Sequence, residues 1–366
     1  MSHGKDDGNH LDLYGKVTFV GISSFTNDVC KTKICFQCAE NLNDENISKE
    51  HIIPKWILRK FDLFNHSVTL PNGTPYKYKD YVTPCCKNCN GFLSRELEAP
   101  LSKTLGNGYD YFKEHIDESL LHRVFFWLAT IFTKTHIKDQ SLRMTLDRRG
   151  GASTIAESMQ HDWESFHHTY TMNRALYTNA GYSSYCIGSI FVTRVDSVGA
   201  KKKFDYYDLS YAQTAGILIG DIGIIVVFGD AGAVWQELYE PLLSKLSDSV
   251  TSIQLRELIA RFACCNLHIK NAPKFSTLSS SENPSFPTYI SCSLSHPSPL
   301  FHEYNPKILG GLMDHLLGDL MEGKTDVENY RETLSKGELS FIFDSEYQVI
   351  LPEDSFKPRK KHGDNF

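Results

Sequence analysis

Four cysteines, a glutamate–histidine pair and an asparagine are the residues of this chain whose types and spacing favour metal chemistry. The cysteines form two pairs of equal spacing that flank the glutamate–histidine pair, and the asparagine follows the second pair at once: Cys35 and Cys38, Glu50 and His51, Cys86 and Cys89, and Asn90. Thiolates suit zinc, whereas carboxylate and amide oxygens suit a harder ion that assists hydrolysis. The sequence therefore predicts two metal sites with different roles.

The cysteine pairs predict a structural zinc. Two thiolates separated by two residues can hold one ion from a tight turn, and two such turns complete a tetrahedral site. Four unrelated buried cysteines are the alternative, which the repeated spacing disfavours. Cys85 can replace Cys86 in principle, but the spacing to Cys89 favours Cys86. We therefore assign Zn2+ to Cys35, Cys38, Cys86 and Cys89.

The glutamate–histidine pair gains meaning from its place between the cysteine pairs. A histidine followed by Ile52-Ile53-Pro54 is by itself more often structural than catalytic. Together, the two cysteine pairs, the Glu-His-Ile-x-Pro run and the final asparagine resemble the HNH, or ββα-metal, nuclease family. The asparagine after the last cysteine is similar to the endonuclease VII variant. The resemblance covers roughly residues 30–100.

The resemblance implies a role for each residue of the motif. His51 would be the general base, and Glu50 and Asn90 would hold a catalytic Mg2+ or Mn2+ ion, while the zinc does no chemistry. DNA would be the substrate. Arg95 would contact phosphate and Glu98 would be a further ligand, although a plain solvated charge is as good an interpretation of either residue.

Two of three departures from the family pattern, the glutamate and the missing asparagine, support a second hypothesis. The family usually has aspartate where Glu50 stands, and Tyr81 occupies the position of a middle asparagine that orients the base. The insert between His51 and Cys86 is also longer than a minimal motif requires. The alternative is a catalytically inactive zinc-ribbon module that binds nucleic acid or protein. A nuclease that stays silent until a partner or a signal arrives is a third possibility.

Local patterns predict the elements that position the motif. We expect a strand that ends near Pro54, a short helix or extended arm from Trp56, a β-hairpin around the Pro71-Asn72-Gly73 turn, and a helix from Asn90 to Glu98 that Pro100 closes. The hairpin strands are predicted at Val68–Leu70 and Tyr76–Val82. Such a module has little apolar core, so we expect Cys38→Ser or Cys89→Ser to unfold it.

The rest of the chain reads as a mixed helical and β domain. Apolar periodicity predicts a long, almost fully buried helix over 114–138, and a buried hairpin with strands at Ile217–Ile219 and Ile224–Phe228. Further helices are expected at 235–246, 252–269 and 308–321, and a loop at 271–299. The fold class is therefore α+β, with an HNH domain at 1–100, a boundary near 100–112 and a second domain at 110–366.

Composition limits the partners. Residues 1–100 contain equal numbers of acidic and basic residues, so the net charge of -6 lies in the remainder. That balance disfavours tight non-specific DNA binding by residues 110–366 and fits a regulatory protein partner or a homo-oligomer better. With no signal peptide or membrane span in the sequence, we expect a cytoplasmic protein. By analogy of layout, it resembles bacterial anti-phage or restriction effectors.

Overall fold

The described chain divides into two compact units. The structure, a computed structural model, describes residues 8–147, 149, 151–196, 202–278, 288–295, 299–321, 327–355 and 359–360. Unit 1 comprises the described parts of Met1–Thr104, Asp117–Cys186 and Lys274–Ser293. Unit 2 comprises those of Leu105–Ile116, Ile187–Pro273 and Leu294–Phe366.

The helices vary from single turns to six turns. In chain order they are α1 (Ile22–Ser24), α2 (Lys55–Lys60), α3 (Lys87–Phe92), α4 (Ala99–Leu105), α5 (Tyr109–His115), α6 (Glu118–Asp139), α7 (Ile155–Ser158), α8 (Trp163–Thr178), α9 (Ala233–Tyr239), α10 (Ser252–Leu267), α11 (Pro306–Met321) and α12 (Val327–Ser335). Two π-helical segments continue α1 and α3: Phe25–Val29 and Leu93–Glu98. Among the described residues, no helix has both the length and the apolarity needed to cross a bilayer.

The strands are mostly short. In chain order they are β1 (His10–Leu11), β2 (Val17–Phe19), β3 (Ile47–His51), β4 (Ser67–Thr69), β5 (Pro75–Lys77), β6 (Val82–Cys86), β7 (Gly181–Tyr182), β8 (Ile190–Asp196), β9 (Phe204–Leu209), β10 (Thr214–Ile219), β11 (Ile222–Val227), β12 (Ser249–Thr251), β13 (Lys274–Leu278), β14 (Tyr289–Ser293), β15 (Leu339–Ser340) and β16 (Arg359–Lys360).

Unit 2 is built on a five-stranded sheet in the order β12-β8-β11-β10-β9, in which β12 pairs parallel with β8 and the other pairs are antiparallel. The predicted buried hairpin is confirmed, because β10 and β11 pair directly and every residue of both strands is buried. Helix α10 packs on this sheet, and α11 packs on α10. The fold is a mixture of helix and strand, consistent with the predicted α+β class.

Unit 1 combines small sheets with a core of two helices. Strand β3 pairs with β6, β4 with β5, β1 with β2, and β14 joins β13 to β7. Helix α6 packs against α8 and also contacts β6 and the π segment Leu93–Glu98. The prediction that α6 is almost fully buried is confirmed, since Val124 to Ile137 are all buried in the structure.

The compact units differ from the predicted division near residues 100–112. Residues 117–186 and 274–293, which we assigned to the second domain, belong to unit 1. The physical reason is that α6 packs against α8 and also contacts β6 and the π segment Leu93–Glu98. This packing places α6 and α8 in the same unit as the cysteine motif. The predicted loop at 271–299 is also wrong in part, because β13 and β14 lie within it; residues 279–287 and 296–298 of that range lie outside the described residues.

The helix after the second cysteine pair is longer than predicted. It begins at Lys87, passes through the π segment and continues through Pro100 to Leu105. A proline inside an α-helix normally removes a hydrogen bond and clashes with the carbonyl four residues earlier. The wider π turn directly before Pro100 changes that hydrogen-bond pattern, so the prediction that Pro100 closes the helix is wrong.

Candidate functional site

The four predicted zinc ligands form one cluster. Cys35, Cys38, Cys86 and Cys89 are all buried, and their sulfur atoms lie within 4.8 Å of one another. The Sγ atoms of Cys38 and Cys86 are 3.7 Å apart. A tetrahedral zinc at about 2.3 Å from each sulfur holds neighbouring sulfurs about 3.8 Å apart. The cluster can therefore hold a structural metal ion such as zinc.

Backbone amides support the cluster from inside the fold. The Cys86 amide donates to Cys35 Sγ at 3.4 Å, and the Cys89 amide donates to Cys86 Sγ at 3.4 Å. The second bond also caps the first turn of α3. These amide hydrogen bonds stabilise negative charge on sulfur independently of a metal ion.

Hydrogen bonds among the cysteines shift the pKa values of their thiols in opposite directions. Hydrogen bonds from Cys38, Cys85 and Cys89 hold the pKa of the Cys35 thiol far below its usual value. The bond to Cys35 raises the pKa of Cys38 and of Cys89. The thiolate of Cys35 thus disfavours ionisation of Cys38 and Cys89, and a bound cation would favour it.

Cys85 lies beside the cluster without belonging to it. Its side chain is buried, and its Sγ is 3.6 Å from Cys35 Sγ. The group of four sulfur atoms that lie mutually close contains Cys86. This arrangement agrees with the spacing argument that favoured Cys86.

A strand pair followed by a helix carries the other predicted residues. In the antiparallel β3–β6 pair, Glu50 lies opposite Thr83 and His51 opposite Val82. Directly after β6 the chain enters α3, which contains Asn90. The insert forms a hairpin of β4 and β5 around the predicted turn, but the second strand is shorter than predicted, since it ends at Lys77 and Val82 belongs to β6. Residues distant in sequence are thereby placed on adjacent elements.

The predicted site residues Glu50, His51, Asn90 and Glu98 line one pocket of about 370 Å3. Lys55 and Arg59 also line it and carry positive charge. They lie four residues apart on α2 and therefore on one face of that helix. We did not predict these two residues, although their spacing in the sequence was a usable signal.

Arg95 does not line this pocket. Its side chain is 69% exposed, and its Nε lies 3.6 Å from the Glu96 carboxylate. Arg95 and Glu98 are the two residues predicted to bind substrate. The structure places Glu98 in the pocket and Arg95 on the surface. A solvated charge is the better interpretation of Arg95.

Glu50 makes a buried ion pair that the sequence analysis missed. The Lys134 ammonium donates to Glu50 Oε1 at 2.8 Å and to the His51 carbonyl at 2.7 Å. The Lys134 side chain is only 1% exposed. Lys134 lies between two threonines in the last third of α6, and no local pattern pairs it with a residue 84 positions earlier.

His51 is set up as a neutral imidazole. Burial lowers the pKa of His51, and the positive charges of Lys55 and Lys134 lower it further, while Glu50 and the Lys79 backbone oppose this shift. The Nδ1 atom is buried and makes no hydrogen bond of normal geometry. A half-buried, uncharged ring is the form that can accept a proton.

Asn90 and Glu98 approach the pocket from the helix. The Asn90 amide nitrogen donates to Ser48 Oγ at 3.0 Å and to the Lys49 carbonyl at 3.4 Å, so the side chain is fixed against β3. Burial, with a smaller contribution from Glu50, raises the pKa of Glu98 to about 7, and Lys134 opposes the shift. The π segment that carries Glu98 is the kind of helix irregularity that often occurs at functional sites.

Comparison of the chain with protein-family models, with curated proteins and with solved structures found no match. The family resemblance of the motif therefore depends on its own residues and their geometry.

Proposed function

We propose that this chain is a metal-dependent endonuclease of the HNH type that hydrolyses phosphodiester bonds in DNA. The observation that carries the proposal is the shared pocket of His51, Glu50, Asn90 and Glu98. These residues come from β3, from α3 and from the π segment that continues α3, and the cysteine cluster joins α3 and the end of β6 to the turn that contains Cys35 and Cys38. The arrangement supplies a base and several oxygen donors in a pocket of about 370 Å3.

His51 would act as the general base. Since Nδ1 is buried, Nε2 would be the nitrogen that takes the proton from the attacking water. The lowered pKa of His51 keeps the ring unprotonated near neutral pH. Tyr81 replaces the usual asparagine, and the Glu50 carboxylate, followed by the Lys79 backbone, is what favours the protonated ring once the proton has moved, because both raise the pKa of His51.

The oxygen donors fit a hard divalent ion. Glu50 uses Oε1 for Lys134, which leaves Oε2, and Asn90 uses its amide nitrogen for β3, which leaves its amide oxygen. Glu50 and Asn90, with Glu98 as a further ligand, would hold Mg2+ or Mn2+. When bound, the ion would stabilise negative charge on the phosphate. Lys55 and Arg59 would attract the same phosphate to the pocket.

Plasmid cleavage in Mg2+ or Mn2+ tests the proposal. We expect His51→Ala to slow cleavage by about 100-fold or more, the usual contribution of a positioned base. His66→Ala is the matched control, because His66 is an exposed histidine of unit 1 that does not line the pocket. Zinc content and circular dichroism establish that both variants fold. Equal cleavage rates for His51→Ala and wild type would contradict the proposal.

One observation favours a second candidate, a zinc-ribbon binding module without catalysis. Lys134 already supplies a positive charge to Glu50, so the carboxylate does not require a metal ion to be compensated. The same assay separates the two functions. A wild-type protein that binds DNA but cleaves none in either metal, across protein concentrations, would support the binding module.

A further inference from the structure

A second group of metal-ligating side chains lies away from the pocket, at the end of α6. His136 and Asp139 belong to the last turn of this helix, and His161 precedes Asp162, the residue that caps α8. The side chains of His136, Asp139 and His161 are 3%, 2% and 3% exposed. These three residues form no recognisable sequence motif, because His161 lies far from the other two along the chain.

The donor atoms of these three residues converge on one point. His136 Nδ1 lies 3.3 Å from Asp139 Oδ2 and 3.1 Å from His161 Nε2, and His161 Nε2 lies 3.4 Å from the same carboxylate oxygen. An ion about 2.0–2.2 Å from each tetrahedral ligand sets those ligand atoms about 3.3–3.6 Å apart. The triangle is close to the face of such a tetrahedron.

Hydrogen bonds within the group leave polar atoms unsatisfied. Asp139 Oδ1 and His161 Nδ1 are buried and make no hydrogen bond in the described structure. His136 Nδ1 and His161 Nε2 also face each other and Asp139 Oδ2. The lone pairs of these atoms therefore have too few protons between them to be satisfied together. A cation at the centre would satisfy both nitrogens and the carboxylate at once.

We propose that His136, Asp139 and His161 form a second metal site, which takes Zn2+ and holds the end of α6 to the segment that leads into α8. Two imidazoles and one carboxylate are donors that zinc accepts. The surroundings are aromatic: the His136 ring stacks on Phe166 at 5.0 Å, and the His161 ring meets the edge of Trp163 at 5.6 Å. The three residues supply three of the four ligands of a tetrahedral zinc, and a water molecule or the unsatisfied Asp139 Oδ1 would take the fourth position. Because the ion would join α6 to the segment before α8 inside the fold, the role is structural.

Metal counting on the purified full chain tests the site. We expect about two zinc ions per chain in the wild type and about one in His161→Gln. The matched control is His168→Gln, which removes another buried histidine of unit 1 that lies outside the group and stacks on Phe275. This control should keep about two ions. Retention of two ions by His161→Gln would overturn the proposal.

Cobalt titration of the metal-free wild type gives an answer even if His161→Gln does not fold. Cobalt bound to the cysteine cluster shows a thiolate charge-transfer band, whereas cobalt bound by nitrogen and oxygen shows only weak d–d bands. We expect both kinds of spectrum, in about equal amounts. If all the bound cobalt has thiolate ligands, the second site does not exist. Failure of the nuclease assay would leave this result unaffected.

Discussion

At the scale of single residues, the pairing of Lys134 with Glu50 is the contact that most changes the interpretation of the motif. It joins α6 to β3 through a salt bridge of 2.8 Å, and the same ammonium also binds the His51 carbonyl. Lys134 therefore positions both residues of the glutamate–histidine pair. Burying both charges is costly, and their mutual attraction offsets that cost only while both partners are present.

Lys134→Met should destabilise unit 1 by about 3–5 kcal/mol, because it leaves the Glu50 carboxylate buried and uncompensated. The double variant Lys134→Met/Glu50→Met should recover most of this loss, since the Glu50 charge is removed together with its partner. Urea denaturation followed by tryptophan fluorescence measures both, since Trp56, Trp127 and Trp163 belong to unit 1 and Trp235 to unit 2.

Lys33→Met is the control for the loss of a lysine. Lys33 pairs with Asp28 at 3.2 Å, but its side chain is 60% exposed, so its removal should change stability by less than about 1 kcal/mol. A similarly small effect of Lys134→Met, or no recovery in the double variant, would show that the buried pair does not stabilise the fold.

At the scale of elements, local patterns identified the helices and strands that bury a continuous apolar surface. The predicted helix over 114–138 corresponds to α6, and the predicted buried hairpin corresponds to β10 and β11. Strands β13 and β14 were missed because their segment is rich in serine and proline, and because β14 is also held by β7, which is distant in sequence. The start of α6 was placed four residues too early, because apolar periodicity does not locate a cap.

Asp117 sets the start of α6. Its carboxylate accepts a hydrogen bond from the Leu120 amide at 2.7 Å, which satisfies one of the unpaired donors of the first turn. Asp117→Ala should therefore destabilise unit 1 by about 1 kcal/mol, whereas Asp117→Asn, which also caps helices, should have almost no effect. Urea denaturation followed by tryptophan fluorescence compares the two. Equal effects of alanine and asparagine would argue against a capping role.

At the scale of the whole molecule, the site was easier to predict than the unit that contains it. The site residues lie close in sequence to recognisable turns: the two cysteine pairs, Glu50, His51 and Asn90. Four of the predicted residues line one pocket. Which helices join this motif in unit 1 depends on tertiary packing, which no local pattern encodes. The inclusion of α6 and α8 gives the motif a larger apolar core than the sequence analysis assumed.

This larger core changes the expected result of removing a zinc ligand. We expect Cys89→Ser to lose the cluster's zinc and to lower the thermal midpoint of unit 1 by roughly 10 °C or more, because the ion links the turn at Cys35 and Cys38 to the end of β6 and to α3. Hydrogen exchange should rise in those elements and stay unchanged in the sheet of β8 to β12, which belongs to unit 2.

Cys85→Ser is the matched control, because Cys85 is buried beside the cluster but is not one of its four ligands. It should keep the zinc and most of the stability. A Cys89→Ser protein with no zinc at the cluster and an unchanged midpoint would mean that α6 and α8 stabilise unit 1 without the ion. Loss of zinc in Cys85→Ser would instead mean that Cys85 is the true ligand. We expect neither of these two outcomes, because Cys86 and Cys89, and not Cys85, are among the four cysteines whose sulfur atoms lie mutually close.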